Sequence, residues 1–222
     1  MKQPLFDWQY AWSVMPRLLT GLTVTIEATI LGMLLALALG LFWTICRRSP
    51  NRFLAGVVHW IVEFVRSTPL LLQLYFFFYV LPAVGIVLSP LLTGLLALGL
   101  HYSSYTTEVY RAGIKAVPKG QWDASTALGF SKSYVWKSII LPQAIPRVLP
   151  VLGNYFIAMF KDTPLLSAIT VMEIFQQARL VGAEQFRYLE PFTMVGIIFL
   201  ILSLIASQMV IALEKRYVVR HS

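Results

Sequence analysis

The sequence is poor in charged residues and nearly free of cysteine. Only 13% of its 222 residues are Asp, Glu, Lys or Arg, and 58% are hydrophobic, whereas soluble domains carry roughly 25% charged residues. The single Cys46 excludes an internal disulfide and a cysteine cluster. The three histidines, His59, His101 and His221, show no spacing typical of metal ligands. Composition therefore predicts an all-α, polytopic membrane protein in which residues 1–222 form one unit, with no bound metal.

A nucleotide-binding loop is also missing, because the chain contains no Gly-Lys dipeptide. Energy for any transport must then come from a partner or from an ion gradient, and no cofactor is expected. No paired intramembrane carboxylates, nucleophile motif or zinc-type His pair favours a membrane enzyme. An ion-driven secondary transporter is the alternative from a different class. It would be expected to contain internal repeats, and the sequence shows none.

Long apolar segments predict about five transmembrane helices, since a bilayer core requires ~20 residues per helix. In the first predicted helix, Gly21, Gly32 and Gly40 would allow a neighbouring helix to pack closely. Glu27 lies about a third of the way along it, as either a functional carboxylate or an interfacial one. The five predicted spans are Leu18–Cys46, Phe53–Leu81, Leu91–Val109, Ile139–Phe160 and Pro191–Leu213.

Two segments between the last two spans are too short or too polar to cross. Leu165–Phe175 predicts a re-entrant or interfacial helix, and Ala178–Glu190 predicts a polar outer loop. In the second span, Pro69 breaks the helical hydrogen bonding unless it lies at a helix start. Pro142, Pro146 and Pro150 recur every four residues and predict a kink at the start of the fourth span.

The basic residues indicate an orientation. The net charge is +8, and the basic residues that produce it flank apolar runs. This distribution favours contact with membrane lipid over binding of nucleic acid. We place the loops after the first and third spans, and the C-terminal end, on the cytoplasmic side. Thirteen of the 18 basic residues, among them Arg220, then lie inside, and five, among them Lys2, lie outside. This bias predicts an extracytoplasmic N-terminus and a cytoplasmic C-terminus.

The least apolar long stretch is Gln121–Pro150. A helix through Asp123, Ala124 and Ser125 should end at Gly129, because glycine accepts the left-handed conformation found after helix ends. Ser133 could cap a following helix that starts at Tyr134. The small side chains of Ala124, Ser125 and Ala127 predict a face that another protein can approach closely.

The pattern D-A-S-x3-G-x9-I-x-L-P in this stretch resembles the EAA loop of ABC-importer permeases. Asp123, Ala124, Ser125, Gly129, Ile139, Leu141 and Pro142 hold its positions, with Asp in place of Glu and Ser in place of Ala. The resemblance implies that residues 117–142 form a cytoplasmic coupling helix, docked in a groove of an ABC ATPase subunit, within a type I importer fold. The alternative is an ordinary amphipathic helix on the membrane surface.

Further phrases resemble the polar-amino-acid branch of that family. They are FVRSTPLLLQ, with Ser67 where the family usually has Gly, SYTTEVYRAGI, and KDTPLL, with Pro164 in place of Ser. The resemblance implies a bacterial inner-membrane permease that pairs with a second, identical or homologous, permease, with ATPase subunits and with an extracytoplasmic solute-binding protein. KDTPLLSAITVMEIF, FRYLEP and YRAGIKAVPKGQWDA look similar to ectoine and hydroxyectoine permeases. A polar amino acid is the alternative solute.

A zwitterionic solute needs a donor and an acceptor close together at low dielectric. Candidates for lining its path are Gln73, Tyr105, Asn154 and Asp162. Gln73 could equally bond a neighbouring helix, and Lys161 could instead pair with Asp162. Two pairs three residues apart lie on one helical face and predict structural ion pairs, namely Glu63 with Arg66 and Glu108 with Arg111.

Overall fold

A computed structural model describes residues 5–218, and all regular structure in that part is helical. The predicted all-α class is therefore confirmed. Residues 1–4 and 219–222, with Lys2 and Arg220 of the orientation argument, lie outside the described part. The α-helices are α1 (Trp8–Arg47), α2 (Arg52–Ser67), α3 (Leu70–Tyr75), α4 (Pro90–Lys115), α5 (Lys119–Ala127), α6 (Lys132–Tyr134), α7 (Leu141–Asp162), α8 (Ile174–Gln185) and α9 (Leu189–Val218).

Short tighter or wider turns interrupt the α-helices at four places. Phe76–Val80 and Val135–Ile140 are π-helical, and Leu81–Val84 and Thr163–Ile169 are 3-10 helical. Within the described residues, α1 and α9 are long and apolar enough to cross a membrane, and a bent pair of helices adds a third candidate. The number of five spans and the orientation of the termini stay predictions.

The bent pair corrects the expected continuous span Phe53–Leu81. The chain bends by 104° between α2 and the segment that begins at Leu70. Thr68 is extended, with φ −103° and ψ 138°, because the residue before a proline is pushed out of the helical region. Pro69 thus precedes a helix start, where its missing N–H costs little.

Helices α1 and α4 form the most extensive helix–helix contact of the bundle. Small residues at every fourth position of α1 give α4 close access, as expected for helices packed in lipid. A Cβ placed on Gly40 would lie 2.0 Å from Oγ1 of Thr106 and 3.1 Å from the carbonyl oxygen of Ser103. The buried members of this stripe are Ala28, Gly32, Ala36, Gly40 and Thr44.

Hydroxyl groups bond across the same contact. Oγ1 of Thr106 donates to the carbonyl oxygen of Ala36 at 2.9 Å. Oγ1 of Thr107 donates within α4 to the carbonyl oxygen of Ser103 at 2.7 Å and also lies 3.3 Å from the carbonyl oxygen of Gly40. These donors have no access to water, so their pairing removes the cost of burying them. The contact is consequently both sterically tight and polar.

The region between α7 and α9 differs from the expectation. Thr163–Ile169 is a 3-10 turn that ends at Thr170, with φ +63°, so Leu165–Phe175 does not form one helix. The predicted polar loop Ala178–Glu190 is wrong, because residues up to Gln185 belong to α8. The helix forms because its apolar and small residues recur at helical spacing and bury one face; these are Ile174, Ala178, Val181 and Gly182.

Candidate functional site

The coupling segment, residues 117–142, begins with α5, which is capped as its sequence predicts. Gly129 has φ +70°. Its N–H donates to the carbonyl oxygen of Thr126 at 3.0 Å, and the N–H of Phe130 donates to that of Ser125 at 3.2 Å. These two bonds form a Schellman motif. The chain therefore turns sharply at Gly129, towards α6.

An aromatic contact folds the coupling segment back on itself. The rings of Trp122 and Trp136 meet edge to face, with centroids 5.3 Å apart. The Arg48 guanidinium lies 5.0 Å above the Trp136 ring, a cation–π arrangement. Beneath them, Val117, Ile140 and Ala144 form a small buried core. The segment is thereby fixed to the ends of α1 and α7.

A hydrogen bond adds a second attachment. Nη1 of Arg147, on α7, donates to the carbonyl oxygen of Ala116 at 2.6 Å, just before α5 begins. That carbonyl lies at the C-terminal end of α4, where a cation interacts favourably with the helix dipole. The bond thus joins α7 to the end of α4 directly before the coupling segment.

The exposed face of the coupling segment differs from the predicted one. Ser125 is 2% exposed, and its hydroxyl donates to the carbonyl oxygen of Gln121. It faces inward because position 125 lies one turn after Trp122, which packs against the rest of the segment. Ala124 and Ala127 are exposed as predicted, and Asp123 is exposed beside them.

Apolar side chains extend this face. Leu128 is 69% exposed, and the rings of Phe130 and Tyr134 contact each other at 4.8 Å while both remain exposed. Together with Ala124 and Ala127 they make a protruding apolar edge, which we call the docking edge. The sequence analysis did not predict the exposure of Leu128, Phe130 and Tyr134. Their position on either side of the predicted turn at Gly129 could have indicated it.

The second half of the motif holds the segment to α7. Ile139 packs against the buried core of the segment, while Leu141 and Pro142 begin α7 with exposed side chains. The predicted cap at Ser133 is wrong. Ser131 caps instead, its Oγ accepting from the Tyr134 N–H at 3.3 Å, because the turn is complete at Phe130 and the next helix already starts at Lys132.

A polar cluster lies at the far end of α7, between α4 and α7. Oη of Tyr102 donates to Oδ2 of Asp162 at 2.7 Å. Tyr105 and Tyr155 complete an aromatic enclosure, with ring centroids 5.4 Å apart. The His101 ring lies 5.3 Å from that of Tyr105, and its buried Nδ1 has no hydrogen-bond partner among the described residues.

Chemically, this polar cluster offers a carboxyl group, hydroxyl groups and aromatic faces in one place. Tyr102 and His101 are buried, whereas Tyr105 and Tyr155 are half-buried, so the cluster reaches the edge of this chain. A carboxylate and aromatic rings attract a cationic ammonium group. Of the predicted path residues, Tyr105 and Asp162 come together here. Asp162 bonds Tyr102 and makes no ion pair with Lys161 in the described structure.

The other two predicted path residues lie elsewhere. Nε2 of Gln73 donates to the carbonyl oxygen of Val65 at 2.8 Å and to Oγ1 of Thr68 at 2.7 Å. It therefore ties α3 to the end of α2, while its buried Oε1 has no partner among the described residues. Asn154 is exposed on α7, one residue before Tyr155.

The predicted ion pairs lie near helix ends. Nη2 of Arg66 is 2.7 Å from Oε2 of Glu63, and Nη1 of Arg111 is 2.5 Å from Oε2 of Glu108. Sequence reasoning missed a third partner: Nη1 of Arg47 lies 2.5 Å from the other Glu108 oxygen. Glu108 therefore joins α1 to α4 directly above the coupling segment.

Taken together, the fold and these features define a helical membrane protein with an exposed apolar edge at one end and a polar cluster within the bundle. Residues 29–219 match the family described as "Binding-protein-dependent transport system inner membrane component". The chain belongs to that family, and its fold is that of a type I ABC-importer permease.

Individual relatives cover nearly the whole chain. A Sinorhizobium fredii protein named probable amino-acid ABC transporter permease y4tG is 45% identical over 90% of this chain and 87% of its own length. The L-cystine transport system permease TcyB of Bacillus subtilis is 37% identical, over 87% and 85%. A crystal structure of an amino acid ABC transporter with histidines is 31% identical, with a TM-score of 0.91 over 95% of this chain and 99% of that one.

Proposed function

We propose that this chain is the permease subunit of an ABC importer that carries an amino acid, and that its coupling segment docks on an ATPase subunit. The observation that carries this proposal is the docking edge. Leu128, Phe130 and Tyr134 expose apolar area at the polar end of the bundle, while Trp122 and Trp136 hold that edge in place. An apolar edge with polar flanks suits docking in a protein groove.

The solute proposed here is an amino acid rather than ectoine. The sequence phrases look similar to ectoine permeases, but the relatives above are named for amino acids and L-cystine. Both solute classes are zwitterions, so both need a negative and a donating group at low dielectric. The relatives therefore support the alternative solute over the first choice.

The polar cluster supplies those groups. Asp162 would take the ammonium group of the solute, and the aromatic faces of Tyr105 and Tyr155 would flank it. His101 would offer its unpaired ring nitrogen to the carboxylate when protonated or in the tautomer that donates. Because the half-buried rings lie at the edge of the chain, the path would run beside a second permease, with Asn154 and Gln73 as further lining candidates.

The remaining partners follow from the same proposal. ATP binding would bring the ATPase subunits together and move the coupling segments, and a solute-binding protein would deliver the solute from outside. The chain itself would hydrolyse nothing and hold no cofactor. The orientation that suits this scheme is the predicted one, in the bacterial inner membrane with the coupling segment inside.

Reconstitution of the complete transporter tests the solute and the class separately. ATPase activity would be measured while L-amino acids, ectoine and hydroxyectoine are added one at a time with the binding protein. We expect stimulation by one or a few amino acids. Stimulation by ectoines alone would reject the amino acid, and uptake that persists with an inactive ATPase but stops when ion gradients collapse would reject the ABC class.

A pair of variants tests the polar cluster. Asp162→Asn keeps the shape and an acceptor for Tyr102 but removes the charge, while Lys161→Gln removes a neighbouring exposed charge as the control. Loss of a hydrogen bond to a charged group costs about 2 kcal/mol, so the half-saturating solute concentration should rise about 30-fold in the first variant only. Unchanged transport by Asp162→Asn would remove Asp162 from the path.

A further inference from the structure

A basic cavity lies beside the coupling segment, where α1, α2, α4 and α5 meet. It has a volume of about 700 Å³. Five cationic side chains line it, namely Arg47, Arg48, Arg111, Lys115 and Lys119. Such a concentration of one sign attracts an anion from solution or from a membrane surface.

Internal pairing neutralises only part of this charge. Arg47 and Arg111 share the single carboxylate of Glu108, at 2.5 Å each. In residues 5–218, Arg48, Lys115 and Lys119 have no carboxylate within 4.0 Å. Five positive charges less one negative charge leave an excess of four around the cavity.

Arg47 is the more buried of the two arginines bonded to Glu108, and a histidine of the cavity wall also holds it. The side chain of Arg47 is 11% exposed, and its Nη2 lies 2.8 Å from Nδ1 of His59. A guanidinium can only donate, so Nδ1 of His59 accepts and the imidazole proton lies on Nε2. Glu63 does not compete for that nitrogen by hydrogen bonding, because the separation is 3.9 Å.

An open apolar groove runs from the basic cavity along α2. It has a volume of about 630 Å³, and Gly56 lines both the groove and the cavity. A Cβ on Gly56 would meet no atom within 4 Å, so the two spaces join where this glycine leaves room. The groove is shallow, because α2 alone lines it, mainly with exposed apolar side chains, namely Phe53, Val57, Trp60, Ile61 and Phe64.

From this juxtaposition we infer that the chain binds an anionic phospholipid, with its phosphate headgroup in the basic cavity and an acyl chain along the α2 groove. The cations complement the phosphate, and the groove complements the hydrocarbon. A free phosphate ion would use the cavity and leave the groove empty. An acidic surface of a protein partner would pair with the lysines but would not need the apolar groove.

This lipid would touch the coupling segment directly. Lys119 and Trp122 belong to α5 and line the same cavity. A bound headgroup would therefore bridge α2 to the segment on which an ATPase docks. The inference does not depend on which solute is carried.

Native mass spectrometry of the assembled transporter can test the site. The delipidated complex would be titrated with phosphatidylglycerol, with phosphatidylcholine of the same acyl chains, and with inorganic phosphate. Near a membrane surface each lysine is worth about fivefold in affinity for anionic lipid. The double variant Lys115→Gln/Lys119→Gln should therefore bind phosphatidylglycerol about 25-fold more weakly, the product of two such factors.

Two further variants separate the possible occupants. Lys132→Gln/Lys137→Gln removes the same charge from exposed positions outside the cavity and should retain phosphatidylglycerol. Gly56→Leu should fill part of the join, because a Cβ there meets no atom within 4 Å. Each acyl methylene that the new side chain displaces costs about fourfold in affinity. It should weaken phosphatidylglycerol binding and leave phosphate binding unchanged.

The inference fails on any of three results. Equal retention of phosphatidylcholine would show that the cations do not recognise the headgroup. Inorganic phosphate binding as tightly as phosphatidylglycerol, with no effect of Gly56→Leu, would identify a free-anion site. Unchanged lipid binding but weaker ATPase association in Lys115→Gln/Lys119→Gln would identify a protein-docking surface.

Discussion

Replacing Gly40 by alanine should destabilise the bundle, although alanine is the better helix former. The new Cβ would lie 2.0 Å from Oγ1 of Thr106, 3.0 Å from Cβ of Thr106 and 3.1 Å from the carbonyl oxygen of Ser103. A backbone oxygen cannot rotate away, and Thr106 is held by its bond to the carbonyl oxygen of Ala36. Helices α1 and α4 must therefore move apart.

The magnitude follows from three opposing effects. Overpacking a tight core costs about 1–3 kcal/mol, and weakening the interhelical bond from Thr106 to Ala36 costs about 0.6 kcal/mol. Alanine in place of glycine returns up to about 1 kcal/mol of helix propensity. The net loss is about 2 kcal/mol, which corresponds to about 4–8 °C in Tm for a chain of this length.

Gly196→Ala is the matched control. Gly196 also lies inside a long helix, α9, but a Cβ there would meet no atom within 4 Å. It should keep or slightly raise the Tm, because only the propensity effect remains. Both variants of the full chain would be heated in the same detergent while intrinsic fluorescence reports unfolding. A Tm for Gly40→Ala equal to or above that of Gly196→Ala would refute the steric argument.

Two further substitutions address the coupling segment and the charges above it. Gly129→Ala should lower the free energy of unfolding by about 1–2 kcal/mol, because φ is +70° there, and should lower solute-stimulated ATPase activity. Gly120→Ala, at an unconstrained position of α5, is the control and should change neither quantity. Equal behaviour of the two variants would contradict the role of the turn. Glu108→Gln should lower the free energy of unfolding by about 1–3 kcal/mol, because Arg47 loses its charged partner. Thermal unfolding measures this change. Glu184→Gln is the control and should have little effect, because Glu184 is exposed where it pairs with Arg17.

The features predicted correctly from sequence are those set by a few neighbouring residues. Gly129 ends α5 because the left-handed turn depends on its own backbone. Features that depend on distant residues were missed. Arg47 lies 61 positions from Glu108, and no local pattern links them.

The error over α8 has a different cause. Its sequence is polar on one side, and the small residues Ala178 and Gly182 resemble a loop when read without their partner. Gly21 of α1 permits the contact, since a Cβ there would lie 2.7 Å from Cα of Ile174. The helix is therefore stabilised by packing that single-segment composition does not reveal. Likewise, Ser125 suited the predicted outer face by size, and only the position of Trp122 turns it inward.

The contact of Arg48, Trp122 and Trp136 has a mechanical consequence. These rings pack the coupling segment against the end of α1. The Arg147–Ala116 bond joins the ends of α4 and α7 beside it. A displacement of the docking edge should therefore move three long helices together. The chain bends most sharply at Thr68 and Pro69, where the Gln73 side chain and the Thr68 hydroxyl both bond the carbonyl oxygen of Val65.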